Sequence, residues 1–208
     1  IMPYHILIEN STLLGLTFEA VVSSLAIGYR VRLLAQARDR AEIAEAHAMS
    51  MADTDPLTGL LNRRAFLRTL LERNSNWTLL LLDIDHFKRV NDSLGHAGGD
   101  EAIVQVARAL QRKMPKGALL ARMGGEEFAI AYRGDMMLIE PDELLAEIRS
   151  IDLRGGYRIT ASMGIANRNV ASDDDWKILY RAADMALYRA KSDGRDRFIR
   201  TRPQAKAA

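Results

Sequence analysis

Trp77-Thr-Leu-Leu-Leu-Leu-Asp83-Ile-Asp85 is an apolar run that stops at two carboxylates one residue apart. A run of this length between polar segments predicts a strand buried on both faces, so the chain must build a sheet with cover on each side. Asp83 and Asp85 then lie at the C-terminal end of that strand and on one face, because strand side chains repeat every two residues. Carboxylates so placed suit a hard divalent cation. Mg²⁺ takes oxygen ligands, commonly one or two carboxylates together with substrate phosphates. An isolated Asp-x-Asp is equally a solvated strand end, so the reading needs a second acidic element.

Arg122-Met-Gly-Gly-Glu-Glu-Phe128 supplies it. Apolar sequence flanks it, Ala118 to Ala121 before and Phe128 to Tyr132 after, which predicts two short strands joined by a tight glycine turn. Gly124 and Gly125 permit positive φ and let a bulky ligand lie against the backbone. Strand alternation predicts that Glu126 and Glu127 point to opposite sides. Alone, this is equally a hairpin with a charged tip; beside the strand end it makes a two-part acidic site.

The remaining pattern interleaves strands and helices. It predicts a helix over 63–73, a strand over 79–82, a helix over 98–113, the hairpin over 119–132, and a helix from Pro141 to Ser150 with the proline at its first position. A strand over 157–165, a helix over 176–192 and a short strand over 197–200 follow. The expected class is α/β, a mixed central sheet with flanking helices.

The 208 residues suffice for one domain with a full core plus an extension. Apolar residues make up 48% and charged ones 27%, a globular composition. A net charge of +2 gives no argument for a nucleic-acid partner. The absence of cysteine excludes disulfides and thiolate metal sites, and fits a reducing compartment. Because the first residue is not Met, the chain reads as part of something longer.

Residues 6–27 are the most apolar region, interrupted by Glu9 and Glu19. Two readings stay open, a last transmembrane helix in residues 1–28 or a buried helix of a soluble dimer; an acidic residue within a span needs other helices to face. Arg30, Arg32, Arg38 and Arg40 follow against a single Asp39, a positive-inside pattern that would place the rest in the cytoplasm. Residues 29–52 lack Gly and Pro and predict a connecting helix. Leu34, Ala37, Ala41, Ala44, Ala48 and Met51 recur as a heptad seam, either a weak coiled coil or one face of an amphipathic helix. Asp53-Thr-Asp-Pro56 ends it and sets a domain boundary, giving a catalytic domain over 53–200 and a disordered tail over 201–208.

Six blocks in order make the chain recognisable. They are Asp55-Pro-Leu-Thr-Gly-Leu-Leu-Asn-Arg-Arg64, Asp83-Ile-Asp-His-Phe-Lys-Arg-Val-Asn91, Gly95-His-Ala-Gly-Gly-Asp100, Arg122 to Phe128, Ser162-Met-Gly-Ile165, and Ala182-Ala-Asp-Met-Ala-Leu-Tyr-Arg-Ala-Lys191 with Gly194-Arg195. The chain resembles the GGDEF family of diguanylate cyclases from about Asp53 to Phe198, with Glu126 at the variable third position of the name motif. The resemblance implies a palm-like fold shared with nucleotidyl cyclases and polymerases. It also implies condensation of two GTP into cyclic di-GMP by a homodimer of half-sites, with Mg²⁺ or Mn²⁺, two per GTP. The N-terminal region resembles the end of multi-helix membrane sensors that feed such enzymes, which implies a bacterial inner-membrane location with a cytoplasmic catalytic domain, although the piece itself is soluble on the other reading.

Residue by residue, Asp83, the Ile84 carbonyl and Glu126 match metal ligands. Glu127, Lys88 and Arg122 match groups at the reaction centre. Asn91 and Asp100 match guanine readers; Lys191 and Arg195 match phosphate binders; His86, Phe87, Gly124 and Gly125 match the substrate surround. The chemistry suits the guanine assignment, since a carboxylate accepts from the base's N1–H and amine while Asn both donates and accepts. Asn91 also fits a helix N-cap. Asp85 is left between a local structural role and a part beside the metal. Lys191 and Arg195, four apart at a helix end, would converge on one anion. Many relatives carry an inhibitory Arg-x-x-Asp product site; the corresponding positions here are Pro115 and Ala118. A catalytically silent GTP- or cyclic di-GMP-binding module is the alternative function, and a cyclase of altered base choice a third.

Overall fold

The computed structural model describes residues 17–40, 53–133 and 140–201. The chain divides into two compact units, 1–52 and 53–208. In the first, α1 covers residues 17–40, with Phe18, Val21, Leu25, Val31 and Leu34 exposed. No helix among the described residues is long and apolar enough to cross a membrane. Ala41, Ala44, Ala48 and Met51 of the expected seam, residues 6–16 of the apolar stretch and 202–208 of the tail lie outside the described residues.

The second unit is a six-stranded mixed sheet in the order β1-β3-β4-β2-β7-β8. Its strands are β1 (Leu61–Asn62), β2 (Ser75–Ile84), β3 (Leu119–Gly124), β4 (Glu127–Arg133), β7 (Ala161–Val170) and β8 (Phe198–Arg200); β5 (Asp152–Leu153) and β6 (Tyr157–Arg158) form a separate hairpin. β1 runs parallel to β3 and β8 parallel to β7; the neighbouring pairs β3–β4, β4–β2 and β2–β7 are antiparallel. The apolar run behaves as expected: β2 pairs on both sides and is buried from Trp77 to Ile84. Its alternating residues build two cores. Leu80, Leu82 and Ile84 meet α3 (Phe87–Lys113) and α4 (Pro141–Arg149), while Trp77, Leu79 and Leu81 meet α2 (Arg63–Glu72) and α5 (Asp173–Ser192).

Three expectations change. Helix α3 starts at Phe87, not 98, and breaks at Gly95, whose φ of 74° and ψ of 172° divide it into two arms. Asn91 therefore lies inside the first arm and caps nothing; the residue before the helix is His86, in the left-handed region at φ 54° with no side-chain cap. The stretch 157–165 is two strands, β6 and β7, separated at Ile159 and Thr160.

Candidate active site

The C-terminal end of β2 delivers Asp83 to the face covered by α5. Asp83 sits directly across from Glu127 in the β2–β4 ladder. It is 6% exposed, and Lys191 from the last turn of α5 places Nζ 2.8 Å from Oδ2. Burial pushes the Asp83 carboxyl above the usual range; the Lys191 hydrogen bond and charge oppose this, and Glu126 and Asp85 add to it. The Glu127 carboxyl, although solvent-exposed at the start of β4, is also raised, by partial desolvation first and then by the negative charge of Asp83. A group of carboxylates that raise one another is an electrostatic arrangement in want of positive charge.

Glu126 does not alternate with Glu127 across a strand as expected. It lies in the turn, and β4 begins only at Glu127. Both therefore bear on Asp83. The main chain joins the same point, with Ile84 N donating to Glu126 O at 3.4 Å. The turn is open: Gly124 and Gly125 have φ of 146° and 51°, and a Cβ at either would meet nothing within 4 Å. Arg122 shapes it. Its Nε donates to Gly125 O at 2.9 Å, and Nη1 lies 3.2 Å from both carboxylate oxygens of Asp55. Asp55 Oδ1 also accepts from Thr58 N at 2.9 Å and Thr58 Oγ1 at 2.7 Å. Asp55-Pro-Leu-Thr58 and the glycine turn thus form one bonded unit, and Arg122 acts on the turn's shape.

On the other side of β2, Lys88 is exposed in the first turn of α3. The two arms of α3 close on each other through glycine. A Cβ on Gly99 would overlap Asn91 Oδ1 and stand 3.1 Å from Phe87 Cζ. The Asn91 amide therefore lies on the Gly99 backbone, next in sequence to the exposed Asp100. That closeness was invisible in the sequence, where Asn91 and Gly99 stand eight apart with a helix break between.

Asp85 adds its charge to Asp83, but its own carboxylate oxygens are committed to other partners. It is 5% exposed, and its oxygens accept from Thr160 Oγ1 at 2.7 Å, Ser162 Oγ at 2.7 Å and Asp196 N at 3.0 Å. Of the two roles left open, the structural one is occupied. Lys191 and Arg195 do not share a helix face: α5 ends at Ser192, and Arg195 lies beyond it at φ 62°. Among the described residues no group of three or more His, Asp or Glu forms a ready-made metal cage. The carboxylates that bear on one another at this point are those of Asp83, Glu126 and Glu127, oxygen donors of a kind that fits Mg²⁺ when substrate oxygens complete the set.

Comparison with known proteins agrees with this geometry. Residues 52–197 match the family described as "Diguanylate cyclase, GGDEF domain". The chain is 37% identical over 160 residues to diguanylate cyclase DgcM of Escherichia coli strain K12, covering 71% of this chain and 38% of that protein. It therefore spans about two fifths of that relative's length. Among solved structures, the GGDEF domain of DgcB from Caulobacter crescentus in complex with c-di-GMP superposes with a TM-score of 0.63 at 34% identity, covering 72% of this chain and 95% of that one. The coiled coil and GGDEF domain of the same protein gives 0.63 at 31% identity, covering 81% and 97%. With a family match over more than half its length, and with the strand end and glycine turn that carry two of the family's motifs brought to one place, the chain belongs to the GGDEF domain family of diguanylate cyclases.

Proposed function

We propose that this chain condenses two GTP molecules into cyclic di-GMP and two pyrophosphates, each subunit supplying half of the site. The observation that carries the reading is the buried Asp83 carboxylate at the end of β2, directly across from Glu127 in the ladder and paired with Lys191 at 2.8 Å. Asp83, Glu126 and the Ile84 carbonyl would hold Mg²⁺ or Mn²⁺, two per GTP. Such an ion neutralises phosphate charge and lowers the pKa of an attacking hydroxyl.

The chain's own residues do the rest. Asn91 and Asp100 hold the guanine edge. Lys88, Lys191 and Arg195 bind phosphate oxygens, and Lys191 exchanges its bond to Asp83 for one to substrate. His86 and Phe87 border the base, and the open Gly124-Gly125 turn admits the nucleotide against the backbone. The 3′-hydroxyl of one GTP releases its proton to solvent as its oxygen attacks the α-phosphorus of the other; the Pα–O bond to the β-phosphate breaks, pyrophosphate leaves, and a second such step closes the ring. Two half-sites must face each other, so dimerisation is part of catalysis through positioning. The helix over 29–52 would carry that dimer contact, and the apolar N-terminal stretch with its arginine flank would anchor the protein at the bacterial inner membrane.

The test is product analysis. Protein with GTP and Mg²⁺ should yield cyclic di-GMP and pyrophosphate in a 1:2 ratio, with ATP left unchanged. Bound but unconverted GTP, or equal use of ATP, would contradict the reading.

Two further outcomes follow from the geometry. Gly99→Ala should raise KM for GTP by about tenfold with a smaller change in kcat, because its Cβ displaces the Asn91 amide that holds the base. Steady-state kinetics over a GTP series would show it. Cyclic di-GMP should not inhibit through the product site of relatives. Pro115 and Ala118 stand there, in a turn closed by Ala118 N to Pro115 O at 3.2 Å, with Ala118 packed on the core. Strong inhibition by low product in the rate assay would refute this.

A further inference from the structure

The turn after α5 runs against backbone preference. Gly194, Arg195 and Asp196 have φ of 110°, 62° and 48°, three successive residues in the left-handed half of the map, two of them not glycine. Residues with a Cβ avoid that region, and such a run persists only where its surroundings over-determine it.

Two side chains do this. Asp85, from the end of β2, accepts the Asp196 N–H on Oδ2, the oxygen that also takes the Thr160 hydroxyl, while Oδ1 takes that of Ser162. Its own N–H donates to Thr160 O at 2.9 Å, so the carboxylate is fixed at both ends. Arg149, at the C-terminus of α4, grips Asp196 from the far side, with Nε 2.8 and 2.9 Å from the carboxylate oxygens and Nη2 3.2 Å from the main-chain oxygen. The flanks are tied as well: Arg195 N donates to Ala190 O at 3.0 Å, and Met163 N to Arg197 O at 2.9 Å. The main chain of Arg195 is thus tied to the end of α5, the helix whose last turn carries Lys191, and to Arg197, whose Nε donates to Arg195 O at 3.0 Å.

We propose that Asp85 and Arg149, acting through Asp196, are positioning residues that present the Arg195 guanidinium to the phosphates of GTP. The inference rests on the cyclase reading of the site and on the phosphate role of Arg195 within it. It gives Asp85 a function distinct from that of Asp83 two residues earlier. Asp83 faces the reaction and keeps a displaceable partner, whereas the oxygens of Asp85 are committed to three donors.

The test is a set of double-mutant cycles on the full chain, read both as KM and kcat for cyclic di-GMP formation and as Kd for GTP by calorimetry, which needs no turnover. Arg195→Ala should weaken GTP about tenfold, the loss expected for a charge-assisted contact to phosphate. Arg149→Ala removes a surface side chain, so its fold survives; it should raise KM and Kd several-fold with kcat nearly unchanged. Asp85→Ala should do the same. Either change combined with Arg195→Ala should be no worse than Arg195→Ala alone, because a misplaced guanidinium has nothing left to lose. Ser162→Ala strips a different donor from Asp85 and should lower the thermal midpoint without moving KM or Kd. The proposal is overturned if Arg149→Ala and Asp85→Ala lower the midpoint alone, or if their effects multiply with that of Arg195→Ala. It also falls if Arg195→Ala leaves GTP affinity unchanged. A wild type that binds GTP without converting it would instead refute the cyclase reading, and the Kd cycle would still decide the inference.

Discussion

Glu126→Gln should cut cyclic di-GMP formation by about a thousandfold, the loss of several kcal/mol that the metal-holding role proposed for this carboxylate implies when it becomes an amide. The substitution is nearly isosteric and falls in an open turn rather than in a strand, so the fold should not notice it. Stability should in fact rise slightly at neutral pH. Glu126 is one of the charges that raise the carboxyls of Asp83 and Glu127. For a carboxyl raised on folding, the folded state prefers the protonated form. The wild type is therefore penalised above the raised range, and the penalty fades as pH falls and the groups take up protons. The advantage of the variant should shrink with it. Urea denaturation at neutral and acid pH, beside product assays, would check both halves. Loss of activity accompanied by a large loss of stability would mean that Glu126 is part of the scaffold.

Gly164→Ala is expected to have the largest effect on stability, about 3 kcal/mol, at the top of the usual range for overpacking. Gly164 lies in β7, paired with Leu81 on one side and Ile199 on the other. A Cβ there would overlap the Ala183 main-chain oxygen and the Leu187 main-chain nitrogen, and would stand 2.9 Å from Leu187 Cα. All three belong to the backbone of α5, so no flexible side chain can yield; the helix itself must move off the sheet. That helix carries Lys191 to Asp83. Activity should therefore fall by more than the folded fraction explains, which denaturation and kinetics on the same sample would separate. An Ala variant with wild-type stability would mean that α5 does not pack as closely on β7 as the structure shows.

What the sequence revealed and concealed follows from the range of the interactions involved. β2 was legible because burial on both faces needs an unbroken apolar run, a local signal. The hairpin was legible because its strands are neighbours and its turn is glycine. The first arm of α3 was hidden because Lys88, Asn91 and Asp92 are polar, and Gly95 reads as a stop rather than a kink. The start of α5 was placed late, although Ser172 and Asp175 carry a cap signal, with the Asp175 N–H donating to Ser172 Oγ. The strand over 157–165 divided at Thr160 because that residue serves Asp85, 75 positions away. The same distance rule governs the site. Asp83, Glu126 and Lys191 stand in motifs visible in the sequence, but the clasp of Arg122 on Asp55 and the grip of Arg149 on Asp196 link segments 67 and 47 residues apart. No local pattern encodes them.

The most direct test of the central claim is the rate of cyclic di-GMP formation per subunit, with GTP and Mg²⁺ saturating, across a wide range of protein concentrations. Facing half-sites predict a specific rate that rises with concentration and levels off as the dimer fills. A specific rate independent of concentration for a protein that remains monomeric, or GTP bound at every concentration without product, would contradict it.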